Sequence, residues 1–241
     1  MSTAARTPDW GRKAAELYEP SYAREYRHHD DELGQVAAYD AFCAWLRGIC
    51  ESFEAPIDAL DLGCGTGRYF CALSNVRDLV GLDASAAMLD EARRPLHAER
   101  ITASRIELVR GDVMSHDFGP NRFDMVYSIG VLAEHTPLDA RAVANVHRWI
   151  KPHGRFAFTT VHPDSPSVPR TVGRSLARLC LPLTRGRLRR RLHDRLMSGG
   201  LYADEARITE LLEPGFTIES LTRMRSEAHL HGLCVARKRA A

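Results

Sequence analysis

The chain has 241 residues, 44% of them apolar and 27% charged, which suits one sizeable α/β unit with insertions. No apolar run is long enough to span a bilayer, and the opening MSTAARTPDW carries no secretory apolar region, so a cytoplasmic location is expected. The net charge of +2 hides an asymmetry, because residues 170–197 hold nine arginines and one aspartate, +8, against −6 elsewhere. Six cysteines (43, 50, 64, 71, 180 and 234) form no C-x-x-C pair; this argues against a zinc site or a disulfide framework, and no metal role is assigned.

Residues 9–54 read as helical. Ala14, Leu17, Tyr18, Tyr22 and Tyr26 recur at helical spacing, with Pro20 interrupting the run, and Val36 to Phe53 continue the pattern in a second helix over 35–53. Next comes IDALDLGCGTGRY, residues 57–69. Its apolar residues read as a buried parallel strand, and Gly63, Gly65 and Gly67 as a tight turn opening a helix over 68–75. Exposed amides at such a helix start favour a nucleotide-type ligand. A dinucleotide fingerprint needs a third glycine where Arg68 stands, and no Gly-Lys-Ser/Thr follows for a phosphate-binding loop. A short second strand, Leu79–Leu82, ends at Asp83, about 20 residues past the glycines, the distance at which a carboxylate accepts hydrogen bonds from ribose hydroxyls. Ala84 follows, and Met88 lies one turn into the next helix, either on an adenine ring or in the core.

A third strand over 106–113 closes on Asp112 and Val113, and a fourth, from Phe123, runs into Ser128, Ile129 and Gly130. A helix over 138–150, a Pro/Gly turn at 151–155 and a fifth strand, Phe156–Val161, come next; FTIESLT (216–222) and LHGLCVARK (230–238) read as strands six and seven. Alternating strands and helices demand a mostly parallel sheet covered on both faces, with ligands at the carboxyl ends of the strands.

Asp61-x-Gly63-x-Gly65-x-Gly67, Asp83, Asp112 and the Phe123-Asp124-x-Val126 strand follow one another in an order that resembles the class I, Rossmann-like methyltransferases that use S-adenosylmethionine. The resemblance covers about residues 57–161. It implies a seven-stranded sheet with the last strand antiparallel, and a site built on Asp61, Gly63, Cys64, Gly65 and Gly67 with Asp83 and Ala84. It further implies that Asp112 takes the adenine amino group, that Val113 gives its backbone N–H to the ring, and that backbone from Ser128 and Ile129 lines the methionine end. By the same resemblance residues 1–54 form a helical lid whose Tyr18, Tyr22 or Tyr26 closes over the cofactor. Residues 55–162 form the core, 163–200 an insertion over the substrate, and 201–241 the closing helix and strands of one unit.

Such a site binds a methyl donor and leaves the acceptor open. After the fourth strand there is no Asn/Asp-Pro-Pro-aromatic sequence, the feature by which methyltransferases of nucleic-acid base amines resemble one another, so DNA is not an expected partner. A small-molecule acceptor is expected, with oxygen favoured over nitrogen or carbon. His135 and His162 are the candidate bases because histidine titrates near neutrality; His229, His231 and Tyr202 are weaker candidates. In the insertion Leu188, Leu192 and Leu196 form one stripe among arginines, which reads as a solvated helix, a membrane-surface contact or a site for phosphate on a lipid-linked or nucleotide-linked sugar; the alternative function is an RNA or protein methyltransferase docking through it, with RNA disfavoured for want of interleaved aromatics.

Overall fold

The computed structural model describes residues 10–32, 37–168, 201–226 and 229–240. The arginine-rich stretch 170–197, with its three expected roles, lies outside the described residues. Three helices open the described chain: α1 (Trp10–Leu17), α2 (Pro20–Glu32) and α3 (Ala37–Glu51). Pro20 starts α2 at the one helical position where a missing N–H costs nothing, so it divides the run without kinking a helix. In α3, Tyr39, Phe42, Cys43, Leu46, Ile49 and Cys50 recur every three or four residues and are buried.

Seven strands follow: β1 (Ile57–Leu62), β2 (Val76–Asp83), β3 (Arg105–Arg110), β4 (Phe123–Ser128), β5 (Ile150–Val161), β6 (Phe216–Arg225) and β7 (Leu230–Lys238). They form one sheet in the order β3-β2-β1-β4-β5-β7-β6, with β7 antiparallel to both of its neighbours. Between strands lie α4 (Ala86–Ala92), α5 (Ala140–Trp149) and α6 (Glu205–Leu212), whose first amides are capped by Ser85, Asp139 and Asp204. Successive strand residues enter opposite cores. Leu60, Val126, Phe156 and Phe158 pack with Trp149 of α5 and Leu212 of α6, while Ala59, Met125, Tyr127 and Ala157 pack with Leu46 and Ile49 of α3. Strands buried on both faces therefore read as continuous apolar runs, as a covered parallel sheet requires.

Two elements depart from the sequence reading. No α-helix follows the glycine turn; residues 70–72 make one 3-10 turn instead. Gly63, Gly65 and Gly67 all take positive φ, and Asn75 (φ 55°) already turns the chain into β2, so little length is left for a helix. The turn expected at 151–155 becomes a wide irregularity within β5: Ile150 pairs with Phe123 and Arg155 with Met125, while His153 sits at φ 63°. The chain leaves β1 toward β2 and later returns to β4 on its other side. The crevice at this switch point, outside the carboxyl ends of the strands, is where an open α/β sheet binds ligands.

Candidate active site

A cavity of about 980 Å³ occupies that crevice, bounded by the glycine turn, the ends of β2, β3 and β4, the start of β7 and the N-terminal helices. The glycine turn continues the β1–β2 ladder. The Gly63 and Cys64 amides both donate to the Leu82 carbonyl, at 2.7 and 3.0 Å, and the Gly67 amide donates to Cys64 O at 2.9 Å. The Gly65 amide donates to Asp83 Oδ2 at 2.9 Å. These amides are engaged inside the protein, so with no helix N-terminus behind it the turn offers a ligand close approach and shape instead of a row of free donors. The expectation of an amide-lined anion site is thereby corrected.

Asp83 is fixed on both oxygens, Oδ1 accepting from the Ser85 amide at 2.9 Å. Each oxygen keeps a lone-pair direction for a ligand hydroxyl. Burial pushes the Asp83 carboxyl up, and its bonds to the Ser85, Gly65 and Ala84 amides oppose that shift. Asp61, at the end of β1, is pushed up to about 8, first by burial and then by the charge of Asp83, with the Tyr127 hydroxyl opposing. Asp112 stands past the end of β3. Its Oδ1 accepts from the Met114 amide at 2.9 Å, and its Oδ2 from the Gly11 amide of α1 at 3.1 Å.

Cys64, Ala84, Met88, Val113 and Ile129 line the same cavity. Gly67 and Ser128 do not. A Cβ on Gly67 would meet Phe70 at 2.8 Å, so this glycine serves packing behind the turn. Ser128 is fully buried and its hydroxyl donates to Leu62 O at 2.9 Å, tying β4 to β1.

The two candidate bases part company. His135 lines the cavity, its Nε2 lying 3.4 Å from the Tyr18 hydroxyl and 3.8 Å from Glu134 Oε1. His162 is buried behind the wall; its Nδ1 accepts the Asp164 amide at 3.1 Å and its Nε2 faces Glu205 at 3.3 Å, joining β5 to α6. Tyr202, His229 and His231 do reach the lining.

The tyrosines of the N-terminal helices line it too, clustered with Tyr18–Tyr22 ring centroids 5.3 Å apart. Ser85 Oγ donates to the Tyr18 carbonyl at 2.7 Å, which anchors the link between α1 and α2 beside Asp83. Fully buried Asp30 of α2 accepts from the Thr66 hydroxyl and pairs with Arg68, whose guanidinium lies 4.5 Å from the centroid of the Tyr26 ring. Thr66 and Arg68 carried no signal in the sequence, because their partner is 36 or more residues away. Among the described residues no group of three metal-ligating side chains occurs and no helix is long and apolar enough to cross a membrane.

Residues 59–154 match the family model described as a methyltransferase domain. The chain is 36% identical over 145 residues to the demethylmenaquinone methyltransferase of Lactiplantibacillus plantarum, covering 57% of this chain and 60% of that protein. It thus spans less than two thirds of that curated relative. The fold is similar to magnesium protoporphyrin IX methyltransferase of Synechocystis solved with bound SAH (TM-score 0.66, 17% identity, 95% of this chain and 100% of that one). It is also similar to 1,6-didemethyltoxoflavin-N1-methyltransferase of Burkholderia thailandensis (TM-score 0.60, 20% identity, 100% and 94% covered).

The turn itself is testable. Gly63 has φ 75°, and a Cβ there would lie 2.4 Å from Val131 Cγ2. Gly63→Ala is expected to lower stability by about 1–2 kcal/mol through the backbone alone, and further through the clash. In urea unfolding, Gly63→Ala/Val131→Ala should recover the clash contribution and leave the backbone one.

Proposed function

We propose that the chain, whose residues 59–154 match a methyltransferase-domain model, is a class I, Rossmann-like methyltransferase that transfers a methyl group from S-adenosylmethionine to a small-molecule acceptor, at oxygen in preference to nitrogen or carbon. The observation that carries this reading is Asp83: a half-buried carboxylate held by the Gly65 and Ser85 amides at the carboxyl end of β2, with both oxygens still able to accept. A ribose diol presents two donors at the spacing of one carboxylate. Four carboxylates line the cavity (Asp61, Asp83, Asp112 and Glu134), which suits a ligand bearing a sulfonium and an ammonium.

When bound, S-adenosylmethionine supplies an electrophilic methyl on sulfur. The chain's own residues then have three tasks. Asp83, Asp112 and the Val113 amide orient the adenosyl end. The Tyr18–Tyr22–Tyr26 cluster covers the cavity and limits water, which strengthens the electrostatics inside it. His135 Nε2 takes the proton of an acceptor hydroxyl, with the Tyr18 hydroxyl 3.4 Å and Glu134 Oε1 3.8 Å from it. A volume of about 980 Å³ reaches the top of the range for small-molecule sites, enough for cofactor and acceptor side by side.

A second reading follows from the relative's name. Deprotonating a ring hydroxyl makes both its oxygen and the adjacent ring carbon nucleophilic, so the same histidine serves methylation at carbon of a quinol ring.

Asp83→Ala is expected to weaken S-adenosylmethionine binding by about 1–3 kcal/mol in calorimetry, and an unchanged affinity rejects the ribose assignment. Asp61 sets a pH dependence. Below about 8 it holds its proton before a ligand binds, and a cationic ligand favours the ionised form. Affinity for S-adenosylmethionine should therefore rise with pH to about 8 and then level off, a rise absent for uncharged 5′-methylthioadenosine and in Asp61→Asn. With 1,4-dihydroxynaphthalene and a panel of phenols as acceptors, His135→Ala should lower turnover of labelled methyl while cofactor affinity stays within about twofold; full turnover removes it as the base.

A further inference from the structure

The β7 end of the cavity lies far from Asp83. Across the sheet β2, β1, β4, β5 and β7 are neighbours in turn, so β7 stands four strand spacings, about 19 Å, from the strand that carries Asp83. Because β7 runs antiparallel to β5, its first residues meet the carboxyl end of β5, His231 pairing with Val161. His229, just before β7, and His231 line the cavity there together with Ser167, their ring centroids 5.5 Å apart. A ligand whose ribose is held at Asp83 leaves this end to the acceptor.

A chain of hydroxyls decides what His229 can offer. The Leu230 amide donates to Ser165 Oγ at 3.0 Å; Ser165 Oγ lies 2.8 Å from Ser167 Oγ, and that oxygen 2.6 Å from His229 Nδ1. Ser165 is buried, and among the described residues its hydroxyl proton has one acceptor, Ser167 Oγ. Ser167 therefore accepts from Ser165 and gives its own proton to His229 Nδ1. A neutral imidazole whose Nδ1 accepts carries its proton on Nε2. Among the described residues the ring's hydrogen bond is through Nδ1 alone, so Nε2–H is the donor left for a ligand. His231 beside it is pushed down first by burial, with Glu134 opposing that shift and His229 adding to it, and is held toward its neutral form.

We propose that His229 Nε2–H donates to an uncharged carbonyl oxygen of the acceptor, with Ser165 and Ser167 as positioning residues for its ring, so that the acceptor is a hydroxyl compound that also bears a carbonyl group. Among the described residues four carboxylates and one arginine line the cavity, and that arginine, Arg68, is already paired with Asp30. An acceptor oxygen carrying negative charge is therefore disfavoured. An acceptor without the carbonyl leaves a fixed donor unpaired, which makes the contact a selector of substrate. His135 and His229 then have opposite tasks, one taking a proton and the other sharing one in a hydrogen bond. This inference rests on the reading of the cavity as a site for S-adenosylmethionine and a hydroxyl acceptor.

Two measurements test it. Proton–nitrogen correlation spectra of the protein with isotope-labelled histidine read the tautomer directly. The His229 signals, identified by their loss in His229→Phe, should show a bare Nδ1 and a protonated Nε2; a protonated Nδ1 overturns the proposal. In Ser167→Ala the two tautomers should mix, and an unchanged spectrum overturns the positioning role of Ser167. Specificity is read as kcat/KM for labelled methyl transfer to the three hydroxyacetophenones against the three ethylphenols that match them in shape. For at least one pair the preference for the ketone should fall at least about 10-fold from the unaltered protein to His229→Phe, a comparison that cancels the ketone's own effect on phenol acidity. Calorimetric binding of S-adenosylmethionine shows that each variant is folded. An unchanged preference in all three pairs overturns the carbonyl assignment and leaves the methyl transfer standing. Failure of all six compounds to gain label in the unaltered protein overturns the hydroxyl-acceptor reading and this inference with it.

Discussion

In the parallel pair β1–β2, Leu62 lies opposite Leu82, and the next three residues of β1's chain stay on the same track. Two amides of the glycine turn reach the Leu82 carbonyl and a third, from Gly65, reaches the Asp83 carboxylate. Holding that track while the chain reverses demands positive φ at 63, 65 and 67, which three glycines supply at the lowest steric cost. The bond from Gly65 to Asp83 thus does two things at once: it ends the turn, and it aims a half-buried carboxylate into the crevice. Structural and functional readings of the glycines are in this respect the same statement.

The consequence is electrostatic. In a dinucleotide or phosphate site the turn leaves its amides for oxygen anions, backed by a helix N-terminus. Here those amides are engaged and one 3-10 turn stands in place of the helix, so the partial positive charge available to a ligand is small. Carboxylates dominate instead, and burial raises Asp61 to about 8 because water no longer stabilises its charge. A pocket that is costly for its own carboxylates to ionise gains most from a cation. That constraint separates an adenosyl sulfonium from an adenine dinucleotide more sharply than glycine spacing does.

Much of this was legible in the sequence, for identifiable reasons. Strands buried on both faces give apolar runs, and a carboxylate at the end of β2 lies at a fixed distance from the turn, so β1, β2, β4 and Asp83 could be placed from local pattern alone. The features that escaped depend on distant contacts. Nothing near His162 announces that Glu205 will hold its ring behind the wall, or near Ser128 that its hydroxyl will meet Leu62. Arg68 entered the sequence reading only as the residue that breaks a dinucleotide fingerprint, and its pairing with Asp30, on a helix that precedes the core, had no local signal. The helix expected at 68–75 failed because propensity was read without the length that three left-handed residues and Asn75 consume.

Tyr18 shows why the N-terminal helices belong to the chemistry as well as to the cover. Its carbonyl accepts from Ser85 Oγ, and Ser85 also caps α4 and donates its amide to Asp83; its hydroxyl lies 3.4 Å from His135. One residue therefore touches the ribose side of the proposed cofactor site with its backbone and the candidate base with its side chain. Three further ties, Gly11 to Asp112 and Asp30 to both Thr66 and Arg68, join the same helices to the rest of the adenosyl pocket. These hydrogen bonds link Tyr18, Asp83, Asp112 and the glycine turn in one connected set.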